Sequence, residues 1–174
     1  SALWFGKTAE NDRAVVARFA DTLAAASRGE LDHWADTPFG RLALIIVLDQ
    51  FPHHVHRGDA RSFACDPQAL RLALATLKDH LDEEVSPLAR VFVYLPLEHA
   101  EALGVQELSV KLFEKLAREA EGDERTVFEG FLDYARRHRD VVARFGRFPH
   151  RNALLGRESS AEELEFLEQP GSRF

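Results

Sequence analysis

The stretch FGRLALIIVLDQF, residues 39–51, is apolar on nearly every side when it is drawn as a helix. A start signal precedes it, because the side chain of Thr37 can cap a first turn and Pro38 suits the first helical position. A helix that is hydrophobic all round is buried within a fold. The stretch therefore predicts a buried central helix against which the rest of the chain packs.

Further helices are predicted on both sides of this one. Asp66-Pro67 and Ser86-Pro87 repeat the pattern of cap and proline, Ser160 with Glu163 forms a capping box, and Asp123 is expected to cap another helix. The predicted helices span 9–27, 38–51, 67–80, 87–102, 105–121, 124–145 and 161–168. No stretch alternates with a period of two for long enough to make a strand. The sequence therefore predicts an all-α fold.

Helical hairpins are the predicted arrangement, because short connections make neighbouring helices antiparallel. No linker or low-complexity stretch interrupts the 174 residues, so residues 1–174 are interpreted as a single domain of stacked antiparallel hairpins. Two helices show an inward stripe at three- and four-residue steps. The stripes are Phe128, Phe131, Ala135, His138, Val142 and Phe145 on the longest helix, and Leu88, Phe92, Leu95, His99 and Ala102 on the 87–102 helix.

The bulk composition limits the class of function. The net charge of −7 argues against general nucleic-acid binding, and no apolar run is long enough for a membrane helix. A single cysteine allows no internal disulfide, which fits a reducing cytoplasm. Residues 136–157 hold seven arginines and one acid, a local charge of +6 in an acidic chain. This window indicates an anion site, or else arginines that pair with acids of neighbouring helices.

Two distant segments, DQFPHHVHRGD at 49–59 and GRFPHRNALLGRE at 146–158, share a Phe-Pro-His sequence followed by arginine and glycine. Proline disfavours helix in the residue before it, so each segment is expected to leave its helix as a fixed loop. Arginine and histidine suit carboxylate or phosphate groups. The polar residues of the two loops are Asp49, Gln50, His53, His54, His56 and Arg57, and then Arg147, His150, Arg151 and Asn152. We interpret them as two walls of one ligand pocket, the alternative being loops that pair with one another.

His99 and His138 are predicted to point inward from their helices, and each is flanked by charged residues. A buried imidazole beside a carboxylate can act as an acid or a base, although many core histidines are only hydrogen-bonded. Glu101 or Asp140 is the expected carboxylate partner. Arg139 lies at the edge of the inward stripe and can turn toward a cavity.

A metal site is a more specific alternative to the anion pocket, since His53, His54 and His56 lie within four residues. The spacing matches no helical metal motif, however, and nearby arginines repel a cation, so no metal ligands are predicted. Glycine-rich nucleotide loops, a nucleophile elbow and cysteine clusters are also missing from the sequence. No cofactor is therefore predicted.

Several motifs resemble the bacterial family known as domain of unknown function 924. They are LWFG (3–6), LDQFP with the following RG, YLPLEHAE (94–101), the 137–167 segment and FLEQPGSRF (166–174). The resemblance implies a tetratricopeptide-repeat-like α-α superhelix and supplies no activity. It marks as recurring polar positions Asp49, Gln50, Arg57, His99, Glu101, Gln106, His138, Arg139, Asp140, Arg147, His150, Arg151 and Asn152. The family commonly has Phe-Pro-Arg-Asn in the first loop, where this chain has His53 and His54, so any anion affinity there is expected to depend on pH.

Two functional hypotheses follow. In the first, arginines 57, 139, 147 and 151 bind a small anionic ligand, and His99 or His138 acts as an acid or base. In the second, the fold is a helical scaffold whose arginines capture a peptide carboxylate. Neither hypothesis involves nucleic acid or a membrane, and the sequence does not decide between them.

Overall fold

The described part of the chain, residues 9–172 in this computed structural model, consists of α-helices and short 3₁₀ turns without a β-strand. The α-helices are α1 (Ala9–Ser27), α2 (Pro38–Asp49), α3 (Phe51–Val55), α4 (Asp66–Lys78), α5 (Pro87–Glu98), α6 (Leu103–Glu119), α7 (Gly122–Phe145) and α8 (Ala161–Leu167). The all-α prediction is confirmed. The LWFG motif at residues 3–6 lies outside the described residues.

The chain divides into two compact units, Ser1–Leu97 and Glu98–Phe174. The boundary falls at the last residue of α5, so Glu98 begins the second unit. The interpretation of the whole chain as one domain, and its stacking as a tetratricopeptide-like superhelix, stay predictions.

The core of the first unit is built around α2. Leu44, Val47 and Leu48 are each at most 4% exposed and pack with buried residues of α1 and α4. α1 contacts α2 and α3, and α2 also contacts α4. The prediction of a buried helix is confirmed for this part of the stretch, whereas Phe39 in its first turn is 70% exposed.

The first Phe-Pro pair does not open a loop. α2 ends at Asp49, and after Gln50 the chain forms α3, with Pro52 in its first turn. Proline costs nothing there, because the first N–H groups of a helix have no intrahelical partner. The prediction of a loop directly after Phe-Pro is therefore wrong for this segment, since His53 and His54 lie in a helix.

Most predicted helix starts are confirmed by their hydrogen bonds. The hydroxyl of Thr37 accepts from the Gly40 N–H, and the hydroxyl of Ser86 accepts from the Ala89 N–H. Ser160 and Glu163 form both bonds of a capping box.

Two predicted caps are wrong. α4 begins at Asp66 itself, one residue early, with Cys65 at the cap position, and α7 begins at Gly122, so Asp123 lies in its first turn. An acid in the first turn still favours the helix through its dipole, which explains why the predicted cap lay one residue too late at Asp66 and two too late at Asp123.

A matched pair of glycines gives the first stability prediction. A Cβ at Gly40 would overlap the carbonyl oxygen of Trp34, whereas a Cβ at Gly130 in α7 would meet nothing within 4 Å. Gly40→Ala should therefore cost about 1–3 kcal/mol of unfolding free energy through overpacking. Gly130→Ala should raise it by about 0.5–1 kcal/mol, since alanine is the better helix former. Urea denaturation of both variants measures the difference, and equal effects at the two sites would refute the packing argument.

The second unit contains the hairpin of α6 and α7, which pack against each other across a two-residue link. Phe113 of α6 is fully buried, and its ring stacks 6.2 Å from that of Phe131 of α7. The predicted stripe on α7 is confirmed, because its six members are buried or half-buried. α8 packs beside the 3₁₀ turn Pro149–Arg151.

The inward stripe predicted for the 87–102 helix is confirmed only in part. α5 ends at Glu98, so His99 and Ala102 lie beyond the helix, and Leu88 near its start is 57% exposed. Leu95 is buried, as expected, and Pro96 lies inside the helix. The helix stops early because the amide of Gln106 donates to the carbonyl oxygens of Glu98 and Ala100, which turns the chain toward α6.

Candidate functional site

Two histidines of the second unit lie against one phenylalanine, and a third lies near the first of them. The fully buried ring of Phe148 lies edge-on to His138, with ring centres 5.5 Å apart, and 5.7 Å from the ring of His150. The guanidinium carbon of Arg151 lies over the same ring at 4.7 Å. We call the group of Glu98, His99, His138, His150 and Arg151 the imidazole cluster.

Short elements bring these side chains together. His138 lies on the inward stripe of α7, and His99 follows α5 in the turn held by Gln106, with 6.3 Å between the two imidazole centres. α7 ends at its cap residue Gly146, whose φ of 71° is a left-handed conformation that favours glycine, and the chain then turns back toward α7. Phe148 then has extended backbone, and Pro149 opens the turn that carries His150 and Arg151.

The tautomer of His138 follows from its hydrogen bond. Nδ1 lies 2.9 Å from the carbonyl oxygen of Tyr134 and 3.3 Å from Oε1 of Glu98. Because a carbonyl oxygen only accepts, Nδ1 carries the hydrogen, and Nε2 of the neutral ring is an acceptor. The Glu98 carboxylate, 2% exposed, stands beside the N–H in the position that orients a catalytic imidazole.

Burial keeps His138 neutral. It lowers the pKa of His138 to about 2; the bond to Tyr134 opposes this change, while the charges of His99, His150 and Arg151 add to it. A buried group with a strongly shifted pKa beside a specific carboxylate marks a candidate functional site.

This shift predicts an acid-sensitive fold. The unfolded chain binds a proton at His138 below its ordinary pKa of 6.5, and the folded chain does not until about 2, so stability falls as the pH drops below 6.5. Between pH 7 and 5 the loss from this residue should be about 2 kcal/mol. His138→Asn keeps a donor near the Tyr134 carbonyl and should remove that part of the loss in urea denaturation.

The control for this prediction is His33→Asn at an exposed position, which should leave the pH dependence unchanged. An identical slope between pH 7 and 5 in the wild type and His138→Asn would show that His138 does not resist protonation.

Glu101 does not lie beside a histidine. Its carboxylate accepts from the backbone N–H of Phe148 at 2.8 Å and from both terminal nitrogens of Arg157. Burial raises the pKa of Glu101, but these bonds outweigh it and leave the pKa below its ordinary value. An ionised, doubly bound carboxylate holds the Phe148 backbone in place, so its role here is to position the ring.

A second ion pair holds the same segment from the other side. Arg147 donates two bonds to Glu163, at 2.7 and 2.8 Å, and another to the carbonyl oxygen of Glu158. Arg147, with smaller contributions from Ser160 and Asn152, lowers the pKa of Glu163 to about 2 against the effect of burial. Asn152, fully buried, also donates to the hydroxyl of Ser159 at 3.0 Å.

Arg139 and Asp140 bond to each other, with 2.6 Å between Nε and Oδ1, and Asp140 is 66% exposed. The sequence predicts Glu101 or Asp140 as the carboxylate that orients the histidine. The structure places the carboxylate of Glu98 beside His138 instead, while Glu101 is engaged by Arg157.

The site residues predicted in the first unit have partners of their own. Asp49 is fully buried and accepts from the side-chain amide of Gln50, and the ring of His53 lies edge-on to that of Phe63 at 5.7 Å. Asp12 of α1 joins two of the other residues, accepting from Nδ1 of His54 at 2.9 Å and from two nitrogens of Arg57. These contacts fasten α1 to α3, and the convergence of both Phe-Pro segments on one pocket stays a prediction.

Potential metal-ligating side chains do not cluster within residues 9–172. Within that range no three histidine, cysteine, aspartate or glutamate side chains are grouped so that they could hold a metal ion. Of the histidines once considered for a metal, His54 is bound to Asp12. No described helix has the length and apolar character needed to cross a membrane.

An open groove of about 390 Å³ runs along α6 and α7 and was not predicted. Its lining residues are Glu114, Ala117, Arg118, Arg125, Glu129, Leu132 and Arg136, and none is a predicted site residue. Arg136 bonds to Glu114 at 2.8 Å across the groove. The hypothesis of a peptide-binding scaffold stays a prediction.

Four residues that shape these sites were missing from the predicted set. Glu98 could have been predicted, because it directly precedes His99, a histidine expected to point inward. The sequence indicated Glu163 only as the acid of a capping box. Arg157 stood out only as a member of the basic window. Asp12 had no signal, because its partners lie more than 40 residues along the chain.

Comparison with known proteins places the chain among relatives without an assigned activity. The solved structure of the protein of unknown function ATU0120 from Agrobacterium tumefaciens is 42% identical in sequence and superposes with a TM-score of 0.84. The match covers 95% of this chain and 88% of that one. No curated protein matches. The family model for the bacterial protein of unknown function DUF924 matches residues 1–171, and the chain therefore belongs to the DUF924 family.

Proposed function

We propose that the imidazole cluster binds a small oxyanion, with phosphate or carboxylate chemistry, and transfers a proton to or from it. The observation that supports this most is the grouping of a carboxylate, three imidazoles and a guanidinium around His138 and Phe148. Burying such groups costs stability, because each loses its hydration. A core filled by apolar side chains would avoid that cost, which favours a functional reason for the cluster.

Arg151 is the anion-binding residue in this proposal. Its side chain is buried, at 7% exposure, and its guanidinium carbon lies over the Phe148 ring, 4.7 Å from the ring centre. Packing against the ring limits where the guanidinium can move, and its planar fork matches the two oxygens of a carboxylate or phosphate. The half-buried His99 and His150 supply further polar contacts near it.

His138 is the acid–base residue, and Glu98 is its positioning residue. With Nδ1–H donated to the carbonyl oxygen of Tyr134, Nε2 carries the lone pair that can accept a proton from a bound molecule. The carboxylate of Glu98, 3.3 Å from Nδ1, offsets part of the cost of burying the imidazolium that would form. The reaction class is therefore proton transfer on an anionic substrate.

The cytoplasm is the proposed location. It is supported by the single cysteine, Cys65, which is buried and free in the first unit.

Thermal-shift measurements with phosphate, acetate and citrate test the proposal. Millimolar phosphate should raise the Tm of the wild type and of Arg118→Met, an exposed control on α6, but not that of Arg151→Met. His150→Gln serves as a second variant if Arg151→Met does not fold. Equal shifts in the wild type, Arg151→Met and His150→Gln would count against the cluster as the binding site.

A further inference from the structure

We infer that the open groove along α6 and α7 docks an amphipathic helix of a partner protein, one whose groove-facing side carries two acids three turns apart. All residues that line the groove belong to the second unit, and none is a member of the imidazole cluster. The inference therefore adds an interaction surface to the proposed function and does not depend on it.

The shape of the groove suits a partner helix better than a small molecule. The groove has a volume of about 390 Å³ and is open, whereas a small ligand needs a cleft that covers most of its surface. On α7 the lining reaches from Arg125 to Arg136, a length of about 16 Å at the rise of an α-helix. A volume spread along this length accommodates one row of side chains, which is what a helix lying against α6 and α7 presents.

The walls of the groove also favour a helix over an extended segment. α6 and α7 bond their backbone N–H and C=O groups internally, so they offer no sheet edge to an extended partner. A docked helix satisfies its own backbone groups. Ala117 and Leu132, only 7% and 8% exposed, provide the apolar part of the lining. The small side chain of Ala117 lets a partner helix approach closely, and Leu132 offers an apolar contact.

The charged side chains of the groove indicate which partner residues match it. Arg125, Glu129 and Arg136 follow one face of α7 at steps of four and then seven residues, and Leu132 lies among them. Nε of Arg125 donates to the carbonyl oxygen of Ala120 at 3.1 Å, and its terminal nitrogens make no further bond to the described part of the chain. A partner helix with an acid, a base, an apolar residue and a second acid at the same steps complements this face.

Neighbouring acids leave both arginines accessible. Arg136 donates to Glu114 at 2.8 Å across the groove, but the two side chains are 49% and 44% exposed, and exposed ion pairs contribute little. Arg136 has further N–H groups, so a carboxylate of the partner can join or replace Glu114. Asp123 and Glu124 precede Arg125 but lie on other sides of α7, about 200° and 100° around the helix.

Synthetic helical peptides test the inference. The matching peptide carries glutamate, lysine, leucine and glutamate at the spacings of Arg125, Glu129, Leu132 and Arg136, and it is made in both sequence directions. The control peptide has the signs of the three charges reversed. Fluorescence anisotropy at pH 7 and about 0.15 M salt should give about tenfold tighter binding of the matching peptide. The net charge of −7 attracts the control peptide instead, so a preference for the matching peptide has to come from a local surface.

Charge-reversal variants locate the bound peptide. Arg125→Glu and Arg136→Glu should each remove most of the preference, whereas Arg28→Glu, at an exposed position of the first unit, should keep it. The wild-type preference decides the inference even if a variant does not fold. Equal binding of the two peptides, or binding of neither, would overturn the inference and leave the proposed function in place. A preference that is unchanged in both groove variants would overturn it as well.

Discussion

Replacing Phe148 with alanine is expected to lower the free energy of unfolding by about 3–5 kcal/mol and to abolish phosphate binding. The ring is fully buried and packs with Val141 and Val142 of α7, so its removal leaves a cavity. The same ring supports Arg151 and contacts His138, and both lose their position when it is gone. Urea denaturation gives the stability and calorimetry gives the binding.

Two variants make the Phe148 result specific. Phe39→Ala removes an equally large ring that is 70% exposed, and it should change stability by less than about 0.5 kcal/mol. Phe148→Leu fills part of the cavity, so it should cost less than alanine and still weaken phosphate binding. A Phe148→Ala protein that is nearly as stable as the wild type would show that the ring does not fill the core of this unit.

Glu101→Gln is expected to cost about 2–4 kcal/mol, although Glu101 touches no histidine in the structure. The substitution removes the charge that pairs with Arg157 and weakens the bond to the Phe148 N–H, and it leaves a half-buried guanidinium without its partner. Because Glu101 holds the backbone of Phe148, on whose ring Arg151 packs, phosphate affinity should fall as well. Denaturation and calorimetry separate these two effects.

The matched control is Glu114→Gln, which breaks an ion pair of similar length with Arg136. That pair is about half exposed, so its loss should cost less than about 1 kcal/mol. Combining Glu101→Gln with Arg157→Gln should cost less than the sum of the single changes, since the double variant leaves no unpaired charge. Additive losses would show that the two side chains do not interact.

Local signals explain why the helices were predicted so closely. Each helix start depends on a capping side chain three residues before the N–H group that it binds, as at Thr37, Ser86 and Ser160. The interaction is therefore between near neighbours in the sequence and can be predicted from it. The errors also have local causes. The Phe-Pro pair predicted the end of a helix, but proline also suits the first turn of a new helix. Here α2 ends at Asp49 and α3 begins at Phe51, so an end and a start fall within three residues.

The candidate site was harder to predict because its contacts are long-range. The inward spacing on α7 identified His138, yet the carboxylate beside it is Glu98, 40 residues away, rather than the nearer Asp140. Periodicity assigns a residue to a face of its helix and carries no information about what that face meets. The pairing of Arg157 with Glu101 and of Arg147 with Glu163 likewise depends on where the chain turns after α7. The basic window allowed for arginines that pair with acids of neighbouring helices, but it did not identify Glu101 and Glu163 as those acids.

The most direct measurement of the central claim is a ¹⁵N histidine side-chain NMR titration with phosphate at pH 7. The account predicts that His138 is neutral with its hydrogen on Nδ1. It also predicts that His99, His138 and His150 shift along one saturable curve, while the exposed His33 and His80 do not respond. A hydrogen on Nε2 of His138, or three cluster histidines that respond no more than the exposed ones, would contradict it.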